Sequence, residues 1–273
     1  MSRTIDKAIV LAAGRGTRMR APGGGAIDPD QAAAADAGAK ALIPVGTSRP
    51  FLDYALSALA DAGISDVCLV VAAADDAMRA RYTRELRLER VRVSFVEQAR
   101  PSGTADALLA AEPFAAHDEF VVLNADNYYP PAGLRLLVDA GEPATLAFSR
   151  EGLLRSGQIE AERLSRYALL DVGPDGYLRD VIEKPAAAMA RARATDRISM
   201  NVWRFDGAIF GACRTVPRSS RGEYELPTAV QCGIGSGELR IRALPIDAGV
   251  LDLSHRADIP AVDAALREVR VCL

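Results

Sequence analysis

Short apolar runs alternate with longer amphipathic stretches in the first 125 residues, and this alternation restricts the fold more than any other feature. Four runs have the length and composition of buried strands: Lys7–Ala12, Val67–Ala72, Val91–Val96 and Phe120–Asn124. Three stretches between them are predicted helices: Pro50–Ala62, Asp75–Leu86 and Ala105–Ala111. Because strands that alternate with helices need crossover connections, the pattern predicts a doubly wound α/β unit with a mostly parallel sheet.

The second half of the chain has a different pattern. Tyr167–Val172 and Leu178–Glu183 flank the sequence Gly173-Pro174-Asp175-Gly176, which is typical of a tight turn, so a hairpin is predicted. Further predicted elements are a strand at Ser199–Phe205, a helix from Gly207, a helix at Leu226–Gly233, a strand at Leu239–Pro245 and a helix at Asp258–Arg267. Together the two halves predict a single α/β domain with a mixed, mainly parallel sheet.

One low-complexity stretch, Ala21–Ala39, interrupts this pattern. Its alanine and glycine content predicts a mobile loop. Gln31–Ala37 within it is also compatible with a short helix.

Composition excludes several classes of protein. The 273 residues include 33 Lys and Arg against 36 Asp and Glu, a balance that argues against a general nucleic-acid binder. The apolar run Ala8–Ala13 is too short for a signal peptide, and no run approaches the roughly 20 apolar residues of a membrane helix. The four cysteines lie far apart, which predicts reduced thiols in a cytoplasmic protein. The two histidines share no metal-ligand spacing and are predicted to be structural or surface residues.

The first predicted strand ends in a glycine-rich turn, Gly14–Thr17. Ligands of open α/β sheets bind outside the carboxyl ends of the strands, and glycines there let the backbone approach a phosphate. Arg15 and Arg18 add cationic donors. Met19 occupies the third glycine position of a dinucleotide fingerprint, and the Gly-Lys-Ser/Thr of a P-loop is absent, which disfavours both classes. The turn alone leaves a glycine-rich bend with surface arginines as an open alternative.

A longer segment makes the chain similar to a known family. LAAGRGTRM (Leu11–Met19), followed by Lys40 in AKALIPVG, resembles the signature of the sugar-1-phosphate nucleotidyltransferases, or sugar-nucleotide pyrophosphorylases. The family pattern is approximately LAxGxGTRhxPhT…PKPhhPV, where h is apolar. Ala39 replaces the proline before the lysine, and the stretch between Arg18 and Lys40 is longer than in the pattern. The resemblance implies that Arg18 and Lys40 are catalytic residues that bind the triphosphate.

Further landmarks follow in the order that this family requires. Gln98, Gly103 and Thr104 in EQARPSGTADAL resemble the segment that reads the nucleobase, and a glutamine amide can both donate and accept. Asp126 in VVLNADNYYP resembles the family's magnesium-binding aspartate, with Ala125 in place of the usual glycine. The resemblance therefore assigns nucleotide binding to Leu11, Ala12, Ala13, Gly14, Gly16, Thr17, Gln98, Gly103 and Thr104.

Two motifs resemble the family's sugar-phosphate site, and one resembles its second metal ligand. Glu183 and Lys184 belong to an EKP motif, and Glu225 belongs to a glutamate-containing stretch. Asp252 lies where the family has a G-x-W-x-D segment, although the tryptophan is missing here. Asp247 and Asp258 are nearby alternatives, of which Asp258 is better explained as the start of the last helix. The resemblance implies that Glu183, Lys184 and Glu225 bind the sugar phosphate, and that Asp126 and Asp252 hold Mg²⁺.

The resemblance as a whole implies a Mg²⁺-dependent nucleotidyltransferase with a Rossmann-like fold of the nucleotide-diphospho-sugar transferase type. Residues 5–125 would bind the nucleoside triphosphate and residues 126–273 the sugar 1-phosphate or a cyclitol phosphate, with no nucleic-acid or membrane partner. A homo-oligomer is compatible with the family. Two alternatives stay open: a cytidylyltransferase for a non-sugar phosphate such as phosphocholine, and a catalytically silent regulatory subunit. The sequence does not identify the base or the sugar.

Overall fold

A mixed sheet of nine strands lies at the centre of the protein. The computed structural model describes residues 5–14, 16–21, 26–73, 75–155, 158–183 and 196–273. Its strands are β1 (Lys7–Leu11), β2 (Pro44–Val45), β3 (Arg49–Pro50), β4 (Asp66–Ala72), β5 (Arg92–Gln98), β6 (Phe120–Asn124), β7 (Asn127–Tyr128), β8 (Ala144–Ser149), β9 (Leu169–Val172), β10 (Leu178–Ile182), β11 (Arg197–Phe205), β12 (Arg242–Ile246) and β13 (Leu251–Asp252). The main sheet has the order β10-β9-β11-β6-β1-β4-β5, with β8 paired to β11 and β12 paired to β8.

Helices cover both faces of this sheet. They are α1 (Thr17–Arg20), α2 (Pro29–Ala37), α3 (Phe51–Asp61), α4 (Asp76–Ala80), α5 (Thr104–Ala110), α6 (Glu112–Ala115), α7 (Pro131–Val138), α8 (Arg150–Arg155), α9 (Ala208–Thr215), α10 (Leu226–Ser236) and α11 (Ile259–Leu266). Apolar residues of α3 and α7 pack in one core, and those of α5, α9 and α10 pack in another. Within the described ranges, no helix is long and apolar enough to cross a membrane.

The parallel half of the sheet agrees with the prediction. β1 pairs in parallel with β4 and β6, and β4 pairs in parallel with β5. Ala8, Ile9 and Val10 are fully buried. The run is continuously apolar because both faces of a central parallel strand lie under helices. The doubly wound α/β prediction is confirmed.

The second half adds antiparallel strands. β9 and β10 form the predicted hairpin, and β11 runs antiparallel to β6, β8 and β9. The strand predicted at Leu239–Pro245 is observed as β12, Arg242–Ile246, which begins three residues later than predicted. No element was predicted between residues 131 and 155, where the structure has α7, β8 and α8. Pro131 at the first position of α7 is the signal that could have revealed this helix.

The predicted helix at Asp75–Leu86 is not uniform. Only Asp76–Ala80 is α-helical, and Arg81–Glu85 forms a wider π-helical turn. Arg81 Nη2 and Tyr82 Oη lie 2.5 and 2.8 Å from the two carboxylate oxygens of Asp53, which is fully buried in α3. Two neighbouring side chains of a regular α-helix point in different directions, so this shared partner is consistent with the wider turn.

The low-complexity stretch contains a helix, as its alternative interpretation allowed. α2 begins at Pro29, where Asp28 and Gln31 form a reciprocal capping box, and it ends at the left-handed Gly38. Ala35 packs in a third apolar cluster, which also contains residues of α3 and α11. At least this part of the predicted loop is therefore folded against the body of the protein.

The buried cysteines permit a direct test of the packing. Cys68 lies in β4 and Cys213 in α9, and burial raises the pKa of the first thiol to about 11 and of the second to about 12. Since the thiolate is the reactive form, a thiol reagent at mildly alkaline pH should label the half-buried Cys232 and Cys272 first. Mass spectrometry of labelled peptides measures the order. Rapid labelling of Cys68 or Cys213 without denaturant would contradict this packing.

Candidate active site

A large cavity lies at the carboxyl ends of β1, β5 and β6. Its volume is about 1080 Å³, and it is lined by residues from both halves of the chain. The sequence-predicted site residues found on its wall are Leu11, Ala12, Ala13, Gly14, Gly16, Thr17, Arg18, Lys40, Gln98, Gly103, Thr104, Asp126, Glu183, Glu225 and Asp252. Lys184, and Arg15 of the glycine-rich turn, lie outside the described residues. The position agrees with the general rule for ligands of open α/β sheets.

The glycine-rich turn packs closely against the end of α2. Gly16 has a φ of +61°, and a Cβ atom on it would lie 2.2 Å from the carbonyl oxygen of Gly38. Gly38 is itself left-handed, and Arg20 donates to the carbonyl of Ala37 over 2.8 Å. The second glycine of the turn is therefore required by contact with the insertion, while Thr17 and Arg18 are exposed beside the cavity.

Lys40 and Asp126 form an ion pair in the middle of the cavity wall. Lys40 opens a short 3₁₀ turn (Lys40–Leu42), and Asp126 follows β6. Lys40 Nζ lies 3.1 Å from Asp126 Oδ2, and both side chains are partly accessible. An ammonium group in this position is able to transfer from the carboxylate to an entering phosphate.

Asp252 is brought next to Asp126 by a short ladder. β13 pairs with β7 in antiparallel register, with Asp252 opposite Asn127, and the amide of Leu253 donates to the carbonyl of Asp126 over 2.9 Å. Burial raises the pKa of Tyr129 well above its ordinary value, and the carboxylates of Asp126 and Asp252 raise it further. Both carboxylates therefore act on the same buried ring.

The Asp252 carboxylate, only 4% exposed, is held by several donors. Tyr167 Oη and Ser254 Oγ each donate to it over 2.5 Å, and Arg163 Nη2 lies 3.1 Å away. Gln158 hydrogen-bonds to both main-chain groups of Asp252, at 2.8 and 3.0 Å. These contacts fix the orientation of the carboxylate.

The two aspartates fit a magnesium ion. Mg²⁺ prefers oxygen ligands and is commonly bound by one or two carboxylates together with substrate phosphates and water. Asp126 and Asp252 provide two carboxylates on one cavity wall. No group of three or more Asp, Glu, His or Cys suited to a metal occurs among the described residues. Two carboxylates are a number with which Mg²⁺ commonly binds when substrate phosphates and water complete its coordination.

Gln98, at the end of β5, presents one polar atom of its amide to the cavity. Its Nε2 donates to the carbonyl of Gly103 over 3.0 Å and to Asp106 Oδ2 over 2.7 Å. Both partners are acceptors, so they require the NH₂ group on that side and fix the orientation of the amide. The carbonyl oxygen Oε1 is then the group left to contact a ligand.

Gly103 and Thr104 have structural contacts that the sequence did not predict. A Cβ atom on Gly103, where φ is +112°, would lie 2.3 Å from the carbonyl oxygen of Tyr224. The Thr104 hydroxyl accepts the amide of Leu226, the first residue of α10, over 2.8 Å. The segment predicted to bind the nucleobase is thus joined to the stretch that carries Glu225.

Carboxylates of the cavity lie close to one arginine. Arg221 Nη2 lies 3.0 Å from Glu225 Oε1, and Glu225 is only 8% exposed. Burial acts to lower the pKa of Arg221, but Glu225, Glu223 and Glu183 together raise it. Glu183 and Glu225 therefore lie in the field of one guanidinium group.

Several cavity residues were not predicted from the sequence: Arg163, Arg166, Tyr167, Asn201 and Arg221. Burial lowers the pKa of His255, and Arg163, Arg18 and Arg166 lower it further against the opposing effect of Asp258. This wall is thus rich in cations, which suits phosphate groups. The signal that was available is the group of basic residues just before the hairpin, RLSRY.

Comparison with known proteins supports the class of enzyme that the sequence motifs indicate, a nucleotidyltransferase. Residues 7–253 match the nucleotidyl transferase family. A UTP–glucose-1-phosphate uridylyltransferase of Haloferax volcanii is 28% identical over 96% of this chain and 97% of its own length. A glucose-1-phosphate thymidylyltransferase of Streptomyces antibioticus is 31% identical over 96% of this chain, which spans 66% of that protein.

The fold also matches a solved structure. A UDP-glucose pyrophosphorylase complexed with UDP-glucose superposes with a TM-score of 0.74 at 18% identity, covering 97% of this chain and 99% of that one. Identity at this level supports the fold alone, whereas the family match spans both halves of the cavity. The chain belongs to the nucleotidyl transferase family.

Proposed function

We propose that the protein transfers a nucleoside monophosphate from a nucleoside triphosphate to a sugar 1-phosphate and releases pyrophosphate. One observation carries this proposal. One cavity is lined by the glycine-rich turn and Gln98, by the carboxylates Glu183 and Glu225, and by the Lys40–Asp126 ion pair. The named activities of the uridylyltransferase and thymidylyltransferase relatives support it.

The reaction requires orientation and charge stabilisation more than proton transfer. An oxygen of the sugar phosphate attacks the α-phosphorus, a new P–O bond forms, and the bond to the β-phosphate oxygen breaks so that pyrophosphate leaves with the electron pair. The attacking oxygen is already ionised at neutral pH, so no general base is needed. Arg18 and Lys40 would orient the phosphates and compensate the developing charge. Asp126 and Asp252 would hold Mg²⁺, whose charge neutralises phosphate oxygens when it is bound.

The Gln98 amide favours particular bases. Its Nε2 is occupied by Gly103 and Asp106, so Oε1 can only accept a hydrogen bond. Uracil and thymine present an imide N–H at the corresponding edge, and guanine has an N–H there too, whereas cytosine and adenine present an acceptor nitrogen. Together with the two named relatives, this favours UTP or dTTP as the nucleotide.

Pyrophosphate release from five common triphosphates, each with hexose and cyclitol 1-phosphates and with phosphocholine, tests the function and the base together. We expect UTP or dTTP to exceed CTP and ATP by about a hundredfold in kcat/KM, because the acceptor ring nitrogen of cytosine or adenine would face the acceptor Oε1. Removal of divalent cations should abolish turnover with every substrate. Phosphocholine with CTP as the best pair would support the cytidylyltransferase alternative. Nucleotide binding without release from any pair would support the silent subunit.

The same proposal includes a cytoplasmic location, because all four cysteines are unpaired and reduced thiols are typical of that compartment. The substrate panel would identify the sugar, and measurement of mass in solution would test for the homo-oligomer that the family resemblance allows.

A further inference from the structure

Asn201 interrupts β11 with an unusual backbone conformation. Its φ is +56°, and among the described residues only Ser48 and Ala116 are other non-glycine residues with positive φ. The pairing of β11 with β8 shifts register between Ser199 and Trp203, so Asn201 lies in a β-bulge. Asparagine tolerates this left-handed region better than most residues do.

The bulge is held by hydrogen bonds of Asn201 and of the residue before it. Its amide donates to Ser199 Oγ over 3.2 Å, and the carbonyl of Met200 accepts the hydroxyl of the buried Tyr129 over 2.5 Å. Residues in sparsely populated conformations persist when their surroundings fix them, and they are concentrated at ligand sites. A strand interior is also an unfavourable place for asparagine unless its side chain has a use.

Asn201 borders the cavity and its side chain has an unused polar atom. Asn201 lines the large cavity, and its Oδ1 is buried without a hydrogen-bond partner in the described part of the chain. Buried polar atoms nearly always have a partner, because leaving one unpaired after removal from water is unfavourable. A bound ligand is therefore the natural source of the missing donor.

Sheet topology places Asn201 on the side of the cavity away from the predicted nucleotide-binding residues. Along one edge of β11, Trp203–Phe205 pair with β6, and Arg197 and Ile198 pair with β9. Asn201 lies between these two pairings, level with the carboxyl end of β6, where Asn124 also lines the cavity. The glycine-rich turn and Gln98 lie beyond β6, after β1 and β5.

The required partner is a donor, which excludes phosphate oxygens and favours a hydroxyl group. We propose that Asn201 is a specificity-determining residue whose Oδ1 accepts a hydrogen bond from one ring hydroxyl of the sugar phosphate. This inference rests on the proposed function, since it takes the acceptor substrate to be a polyol phosphate. It adds a hydrogen-bond acceptor to the sugar site, besides the carboxylates of Glu183 and Glu225.

The test compares Asn201→Gly, Asn201→Asp and wild type with one hexose 1-phosphate and its single deoxy analogues. Glycine removes the side chain and accepts the positive φ, whereas aspartate retains an oxygen acceptor. Ser48→Gly, at a φ of +60° on an exposed residue that is not among those lining the cavity, is the matched control for the backbone change.

We expect Asn201→Gly to lower kcat/KM for the parent sugar phosphate by at least about tenfold and to remove discrimination against one deoxy analogue only. Asn201→Asp should restore that discrimination in part, and the KM for the triphosphate should not change in either variant. An equal loss on every analogue, a change in triphosphate KM, or no loss at all would overturn the assignment. These outcomes leave the proposed function intact. Wild type that neither turns over nor is thermally stabilised by any sugar phosphate would overturn both.

Discussion

Asp126→Asn should lower the rate of pyrophosphate release by a factor on the order of a hundred to a thousand. The amide keeps the shape of the side chain but removes its charge, so the proposed cation loses a carboxylate ligand. Lys40, whose Nζ lies 3.1 Å from Asp126 Oδ2, also loses its ion pair and its fixed position. Initial rates at saturating substrates and a range of Mg²⁺ concentrations measure the effect.

Asp139→Asn is the control, because Asp139 is an exposed residue at the end of α7 and is not among the residues that line the cavity. It should retain wild-type turnover. Since the Lys40–Asp126 pair is partly exposed, its loss should change the free energy of unfolding by no more than about 1 kcal/mol. Turnover of Asp126→Asn near that of wild type would show that the metal and phosphate assignments are wrong.

Gly103→Ala should destabilise the protein by roughly 2–5 kcal/mol and reduce turnover with it. The new Cβ atom would lie 2.3 Å from the Tyr224 carbonyl oxygen and 2.7 Å from its nitrogen, and the φ of +112° is strained for alanine. Because the clash is with backbone, a side-chain rotation cannot relieve it. The displaced segments carry Gln98 on one side and Glu225 on the other, so both halves of the cavity would be disturbed. Denaturant unfolding and the KM for each substrate measure this.

Gly222→Ala is the control that separates the cost of a positive φ from the cost of a steric clash. Gly222 has a φ of +78°, but an added Cβ atom would meet nothing within 4 Å. This control should therefore lose only about 1–2 kcal/mol. Equal destabilisation by the two substitutions would mean that the contact between Gly103 and Tyr224 does not constrain the site.

The central strands could be predicted because their sequence reports their surroundings directly. β1 and β6 are continuously apolar because both faces are buried, and glycine or asparagine marks where they end. The π-helical turn after α4 could not be predicted. It accompanies the contacts of Arg81 and Tyr82 with Asp53, about 28 residues away in sequence, which no local pattern encodes.

Prediction of the site divides in the same way. The resemblance to the family assigned Lys40, Asp126 and Asp252 to one site, and the structure brings all three to one cavity. Arg163 was missed because its role depends on Asp252, 89 residues further along the chain. Asn201 was missed because its backbone conformation arises from unequal pairing of β11 with its neighbours.

Each of the two aspartates proposed to hold Mg²⁺ has a cation of the protein beside it, Lys40 at Asp126 and Arg163 at Asp252. Arg163 is shared, because its Nη1 also lies 2.5 Å from Asp258 Oδ1. A metal ion would therefore compete with ion pairs of the protein for these carboxylates. Under the proposed function, the phosphates of a nucleotide would offer Lys40 and Arg163 new anionic partners. We therefore expect nucleotide and Mg²⁺ to raise each other's affinity.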